Sequence, residues 1–196
     1  MKREMLEKLS KQNNGILKTS DAERLGVTKP YFYEFIAKRG YKKLSQGVYL
    51  APDSWEDGLY ALQQRFCKAV ISHETALYLL GLSEREPTRY EFTVPHGYNA
   101  TSLKRQDAAV YSVKPEWYPI GIVDSKTPMG NSVKIYNAER TLCDIFKPNC
   151  HIEIQDRQFA VKEYVRQKDK NIPLLLEYAE ILKAEKAVKH YLEVLL

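Results

Sequence analysis

From Met5 to Leu50 the hydrophobic positions change period repeatedly, and each change marks an element. Met5, Leu6 and Leu9 recur at helical spacing within residues 2–12. Asn13-Asn14-Gly15 breaks that run, and Ile16-Leu17-Lys18 reads as a short strand. Ser20 has Glu23 three residues on, a capping-box pair, so a short helix is expected to open there and stop at Gly26. Thr28 is an N-cap residue and Pro30 falls in the first turn of a second helix, expected over Lys29–Arg39 and ended by Gly40. On that helix Phe32, Phe35, Ile36 and the stem of Arg39 share one face; Pro30, Tyr33, Glu34 and Ala37 share the other. Tyr41-Lys42-Lys43-Leu44 and Val48-Tyr49-Leu50 then read as strands around a Ser45-Gln46-Gly47 turn. Two short helices joined by a glycine turn and followed by a hairpin predict a winged helix-turn-helix domain over residues 1–51.

Ala51-Pro52-Asp53-Ser54 reads as a boundary: proline keeps Ala51 out of the helical region, and Asp53 or Ser54 can cap the next helix. Trp55, Leu59, Leu62 and Phe66 form a helical stripe. Ala69–Ile71 reads as a strand, and Ser72 caps a helix ending at Gly81. Tyr90–Val94, Ala108–Val113, Gly121–Val123 and Ser132–Tyr136 are further strand candidates. Asn137 caps a helix with Glu139, Leu142, Ile145 and Phe146, and the chain is helical again from His151, with a loosening near Lys183-Ala184. The fold class expected is therefore α+β: the winged domain, then a larger α+β domain over 53–196 with a small sheet and a helical C-terminal end.

Charge changes the picture. The 196 residues carry a net +5, yet residues 1–50 hold 11 Lys and Arg against 5 Asp and Glu, a net of +6. The rest of the chain nets −1. A locally basic helix pair neutralises phosphates and releases their counterions, which drives DNA binding. Tyr33 and Glu34 are the candidates for base edges, since a carboxylate accepts from cytosine N4. Lys29, Tyr31, Lys38, Lys42 and Lys43 are candidates for phosphate. Thr19 and Ser20 can offer hydroxyls and N–H groups at a helix start. Lys18, Thr28 and Gln46 complete the candidate DNA-binding surface. Double-stranded DNA is the partner this implies.

No apolar run approaches the roughly 20 residues that span a bilayer, and Met1–Leu6 lacks the apolar core of a signal peptide. Cys67, Cys143 and Cys150 have no CxxC spacing and read as reduced thiols, so a cytoplasmic protein is expected. Recognisable catalytic motifs are few. His73-Glu74 begins like HExxH, but position 77 is Leu. No Walker loop, GxGxxG or GxSxG is present, and the four histidines are scattered. Asp107 with Asp124-Ser125-Lys126 is a carboxylate–lysine set of the kind that can hold Mg²⁺ for phosphodiester cleavage, although Asp-Ser-Lys-Thr-Pro also makes a turn. No catalytic residue, metal ligand or cofactor is assigned, and the chain is not expected to be an enzyme.

Several stretches resemble the AbiEi family, antitoxins of type IV toxin–antitoxin systems. They are the wing Leu44–Tyr49, then Val70-Ile71-Ser72-His73-Glu74-Thr75-Ala76-Leu77 with Gly81-Leu82, and Tyr90–Pro95. Ile135–Asp144 is similar to the family's Glu-Arg-Thr-Leu-x-Asp pattern, and Tyr191–Leu195 to its end. The resemblance implies a repressor that binds inverted repeats in its own promoter. It also implies a C-terminal domain that counteracts a nucleotidyltransferase-like toxin, without a stable complex, in an abortive infection locus. The residues alone leave two alternatives: a winged-helix regulator whose second domain senses a ligand or dimerises, and a metal-dependent DNA nuclease. In the Glu139–Asp144 motif the spacing itself indicates an Arg140–Asp144 pair at i, i+4.

Overall fold

A computed structural model of the chain describes residues 2–195 as an α+β fold of two compact units. The chain enters the first unit twice, with the residues up to Cys67 and again with Lys126–Ser132. Helices α1 (Lys2–Gln12), α2 (Thr19–Arg24) and α3 (Lys29–Lys38) accompany strands β1 (Ile16–Lys18), β2 (Lys42–Ser45) and β3 (Val48–Leu50), and α4 (Gly58–Arg65) comes after them. The sheet order is β1-β3-β2, all antiparallel, with Ile16 and Lys42 both opposite Leu50. An irregularity between Lys43 and Ser45 shifts the β2 register just before the Gln46-Gly47 turn. Leu6, Leu17, Ala22, Val27, Phe32, Phe35 and Ile36 form the core of this unit, so the apolar face expected on α3 is the buried one.

Local details depart from the sequence pattern. Helix α2 begins at Thr19, with Lys18 in the cap position and no side-chain cap bond, so Ser20 does not cap and the capping box does not form. The reason is a competing partner: the Thr19 amide and hydroxyl both donate to the Gly47 carbonyl, at 2.8 and 3.3 Å, which starts the helix one residue earlier. Thr28 occupies the cap position of α3 without a side-chain bond. Neither Asp53 nor Ser54 caps α4. Asp57 does, accepting from the Tyr60 amide at 3.0 Å. The helix therefore starts beyond Trp55, which leaves the stripe and is 87% exposed. Because α4 packs against β2, the compact unit runs past the Ala51–Asp53 boundary to Cys67.

Asp57 also joins the two chain segments of this unit. Its second carboxylate oxygen accepts from Thr127 Oγ1 at 2.5 Å and Asn131 Nδ2 at 2.8 Å, all three side chains being buried. Asn14 Nδ2 donates to the Met129 carbonyl at 2.9 Å.

In the second unit the sheet order is β6-β5-β4-β8-β7. Its strands are β4 (Val70–Ile71), β5 (Glu91–Pro95), β6 (Ala109–Val113), β7 (Ile122–Lys126) and β8 (Ser132–Tyr136). Strand β4 runs antiparallel to β5 and parallel to β8, and β5 runs parallel to β6. The helices are α5 (His73–Leu79), α6 (Thr101–Lys104), α7 (Ala138–Ile145), α8 (Ile154–Arg166), α9 (Ile172–Ile181) and α10 (Glu185–Leu195). Leu77, Leu142, Ile145, Tyr164, Leu175, Leu182 and Val188 belong to one continuous apolar core. Lys183 takes a positive φ of 59° in the break between α9 and α10, where the sequence pattern loosens. Among the described residues no helix is long and apolar enough to cross a membrane.

Asp57→Ala removes a helix cap and strands two buried polar groups. It should lower the unfolding free energy by about 2–4 kcal/mol, read by urea denaturation with an unchanged m-value.

Candidate functional site

The first unit carries 13 Lys and Arg against 8 Asp and Glu, and the second carries 17 of each. The entire net charge of +5 therefore lies on the first unit. On α3 the solvent face presents Tyr33, Glu34, Ala37 and Lys38. Tyr33 is 45% exposed and lies edge-on to Phe32 and to Tyr49 of β3, at 5.6 and 6.2 Å between centroids. Helix and hairpin thus share an aromatic seam. Burial, with the Tyr33 hydroxyl beside it, raises the Tyr49 pKa above its usual value.

The expected cations are placed less freely than the sequence pattern indicates. Lys29 pairs with Glu23 at 3.3 Å, Lys38 with Glu34 at 2.6 Å and Lys42 with Glu56 at 2.5 Å. The Glu34 carboxylate raises the Lys38 pKa through that hydrogen bond. The Lys18 ammonium lies 5.4 Å from the Tyr60 ring centre, and Lys2 lies 6.0 Å from that of Tyr31, which packs against the core. Thr19 is spent on Gly47, whereas Ser20, Thr28 and Gln46 remain exposed. Lys43 is exposed and has no ionic partner among the described residues. All the ion pairs named are solvent-exposed, so each contributes little stability and a phosphate can replace its carboxylate. The carboxylate partners were missed in the sequence. The i, i+4 spacing of Glu34 and Lys38 signalled one of them; Glu23 and Glu56 left no local sign.

The second unit holds a different arrangement, centred on the Glu139–Asp144 motif of α7. Asn137 Oδ1 caps the helix by accepting from the Arg140 amide at 3.0 Å. Arg140 is completely buried: its Nε donates to Asp144 Oδ2 at 2.9 Å, and one terminal nitrogen donates to the Trp117 and Ile120 carbonyls at 2.5 and 2.9 Å. Its guanidinium lies 4.2 Å from the Tyr136 ring centre. Asp144 Oδ1 accepts from Lys147 at 2.7 Å. Glu139 accepts from the Tyr164 hydroxyl at 2.9 Å, which in turn accepts from the Asn171 amide at 2.9 Å. Thr141 Oγ1 donates to the Tyr136 carbonyl. Glu139, Arg140 and Thr141 each hold another segment in place and Asp144 holds Arg140 and Lys147, while Arg140 Nη2 is buried without a hydrogen-bond partner. Gly121 completes the fit, with φ +79° and an added Cβ falling 2.7 Å from Arg140 Cβ and from Asn137 Oδ1.

A second polar group surrounds the start of α5. Thr93 Oγ1 donates to Ser72 Oγ at 2.9 Å, and Ser72 Oγ lies 2.9 Å from His73 Nδ1. His73 has φ +50° and stacks on Tyr111, whose hydroxyl donates to Glu91 at 3.0 Å. The other Glu91 oxygen accepts from the Glu74 amide at 2.6 Å. Burial lowers the His73 pKa from 6.5 to about 4 and raises that of Glu91. Ser72 is fully buried, so this serine–histidine contact is closed to a substrate. The possible Mg²⁺ pair is not assembled either. Asp107 leads into β6 and Asp124 lies on β7, at opposite edges of the sheet and about 19 Å apart by strand spacing. Asp124 pairs instead with Lys134 at 2.7 Å. Among the described residues no three His, Cys, Asp or Glu side chains converge as a metal site.

Gly121→Ala combines an unfavourable positive φ with a clash against the Arg140 stem and the Asn137 side chain, and should cost about 2–4 kcal/mol in urea unfolding. The unfolded His73 binds a proton between pH 6.5 and about 4 that the folded one refuses, so its contribution to stability is present above 6.5 and is lost as pH falls toward 4. Glu91, raised, acts in the opposite sense above 4.5. A His73→Asn chain, which keeps a residue tolerant of positive φ, should therefore show a shallower loss of stability than the parent across pH 6.5–4.

No family model and no curated protein matches the chain. Among solved structures it is similar to "Crystal structure of RV2827C protein from Mycobacterium tuberculosis", with a TM-score of 0.55 at 11% identity. The match covers 92% of this chain and 75% of that one, and the likeness is one of α+β fold.

Proposed function

We propose that the first unit is a winged helix-turn-helix that binds double-stranded DNA, with α3 in the major groove and the β2–β3 hairpin as the wing. The observation that carries the reading is the confinement of the whole +5 charge to the unit holding that helix pair. The exposed α3 face supports it, with Tyr33 and Glu34 directed toward base edges and Lys38, Lys29 and Lys43 toward phosphates. The resemblance of several stretches to AbiEi antitoxins extends the proposal. The chain represses its own promoter through inverted repeats, and the second unit counteracts a nucleotidyltransferase-type toxin without a stable complex. On this reading the protein is a non-enzymatic cytoplasmic regulator. The second unit then acts through its surface, because Asp144, Glu139 and Ser72 are engaged internally.

Fluorescence anisotropy with the upstream promoter duplex and a random duplex tests the first part. Lys42→Ala with Lys43→Ala should weaken binding to both duplexes alike and lower the slope of log K against log salt by about one unit per lost contact. Tyr33→Ala should instead narrow the gap between promoter and random DNA. Normal binding by the wing double variant at ~0.15 M salt would remove the wing assignment. Where a nucleotidyltransferase-type toxin is encoded beside this chain, co-expression should relieve the growth arrest that toxin causes, and relief should persist in the wing double variant.

A further inference from the structure

Trp55 is 87% exposed, in a residue type that normally hides its ring. It sits directly after a hollow of about 450 Å³ in the first unit. Phe35, Tyr41, Ala51 and Pro52 supply apolar lining, and Lys11 and Asp53 supply charge beside the Glu7–Arg39 pair, which also lines it. Neither Lys11 nor Asp53 forms an ion pair among the described residues, although the Lys11 charge helps lower the Glu7 pKa, whereas Arg39 is held by Glu7 and Lys42 by Glu56. The hollow falls within the size range that receives small-molecule-sized groups, and an indole is such a group. Trp55 cannot fill its own hollow, because it leaves the turn two residues after Asp53 and points to solvent.

We infer that this face pairs two copies of the chain. In a two-fold arrangement each Trp55 enters the hollow of the other copy, and Lys11 of each meets Asp53 of the other. An isologous contact requires that kind of self-complementarity: one protruding group, one receiving hollow and one pair of opposite charges on the same patch. The patch supplies all three. A buried tryptophan surrounded by polar residues is also the usual energetic centre of a protein interface. This pairing goes beyond DNA binding and does not depend on it, because its test contains no DNA.

Sedimentation velocity of the full chain from about 1 to about 200 μM reads the pairing in the range where a small patch associates. The parent chain should shift from monomer to dimer, and Trp55→Ser should weaken the dimer about tenfold or more. Lys11→Asp should weaken it as well, and Lys11→Asp with Asp53→Lys should restore it. In a Trp117→Phe background, where Trp55 is the remaining indole, emission should move to shorter wavelength as the dimer forms. Unchanged thermal unfolding of Trp55→Ser separates lost pairing from lost folding. A chain that stays monomeric with unshifted Trp55 emission overturns the inference. So does a dimer as tight in Trp55→Ser as in the parent.

Discussion

The Arg140–Asp144 ion pair sets the terms for the second unit. Taking two charges out of water costs several kcal/mol per ion, and mutual attraction returns that only with further hydrogen bonds to the two groups. Asp144 takes Lys147 as well, and Arg140 reaches across to the carbonyls of Trp117 and Ile120, while its Nη2 stays buried without a hydrogen-bond partner. Those carbonyls fix the turn before β7, while the Tyr136 ring at the end of β8 covers the guanidinium. Gly121 has to be glycine because the arginine stem lies against it. One buried charge thus orders a turn, two strand ends and a helix.

The first unit solves its electrostatics in the opposite way. Its cations stay in water, and carboxylates close by hold several of them: Glu23, Glu34 and Glu56. Such pairs are weak because water screens them. A phosphate arriving at Lys29, Lys38 or Lys42 exchanges one anion for another, whereas at Lys43 it meets an unpaired ammonium.

Legible in the sequence was whatever neighbours in the chain decide. Phe32, Phe35 and Ile36 fall on one helical face, so their burial could be read, as could the Asn137 cap and the Arg140–Asp144 spacing. Errors arose wherever a distant partner outbid a local one. Ser20 lost its capping role because the Gly47 carbonyl, 28 residues from Thr19, draws the helix start back. Trp55 fitted a helical stripe, but Asp57 starts the helix beyond it, and that carboxylate is held by residues 70 and 74 positions away. Asp124-Ser125-Lys126 looks like a turn and is the end of β7. At the candidate DNA surface, residue types were legible and pairings were not: Glu56 lies 14 residues from Lys42.

The Asp57–Thr127–Asn131 cluster has a consequence in time. Ribosomal synthesis delivers Asp57 well before Thr127 and Asn131 exist, at roughly 10 residues per second a wait of about seven seconds. Until then α4 has its cap but the carboxylate lacks two of its three partners. The basic unit reaches its finished form only after most of the second unit's strands have been made. An N-terminal fragment released early from the ribosome is thus an incomplete basic body.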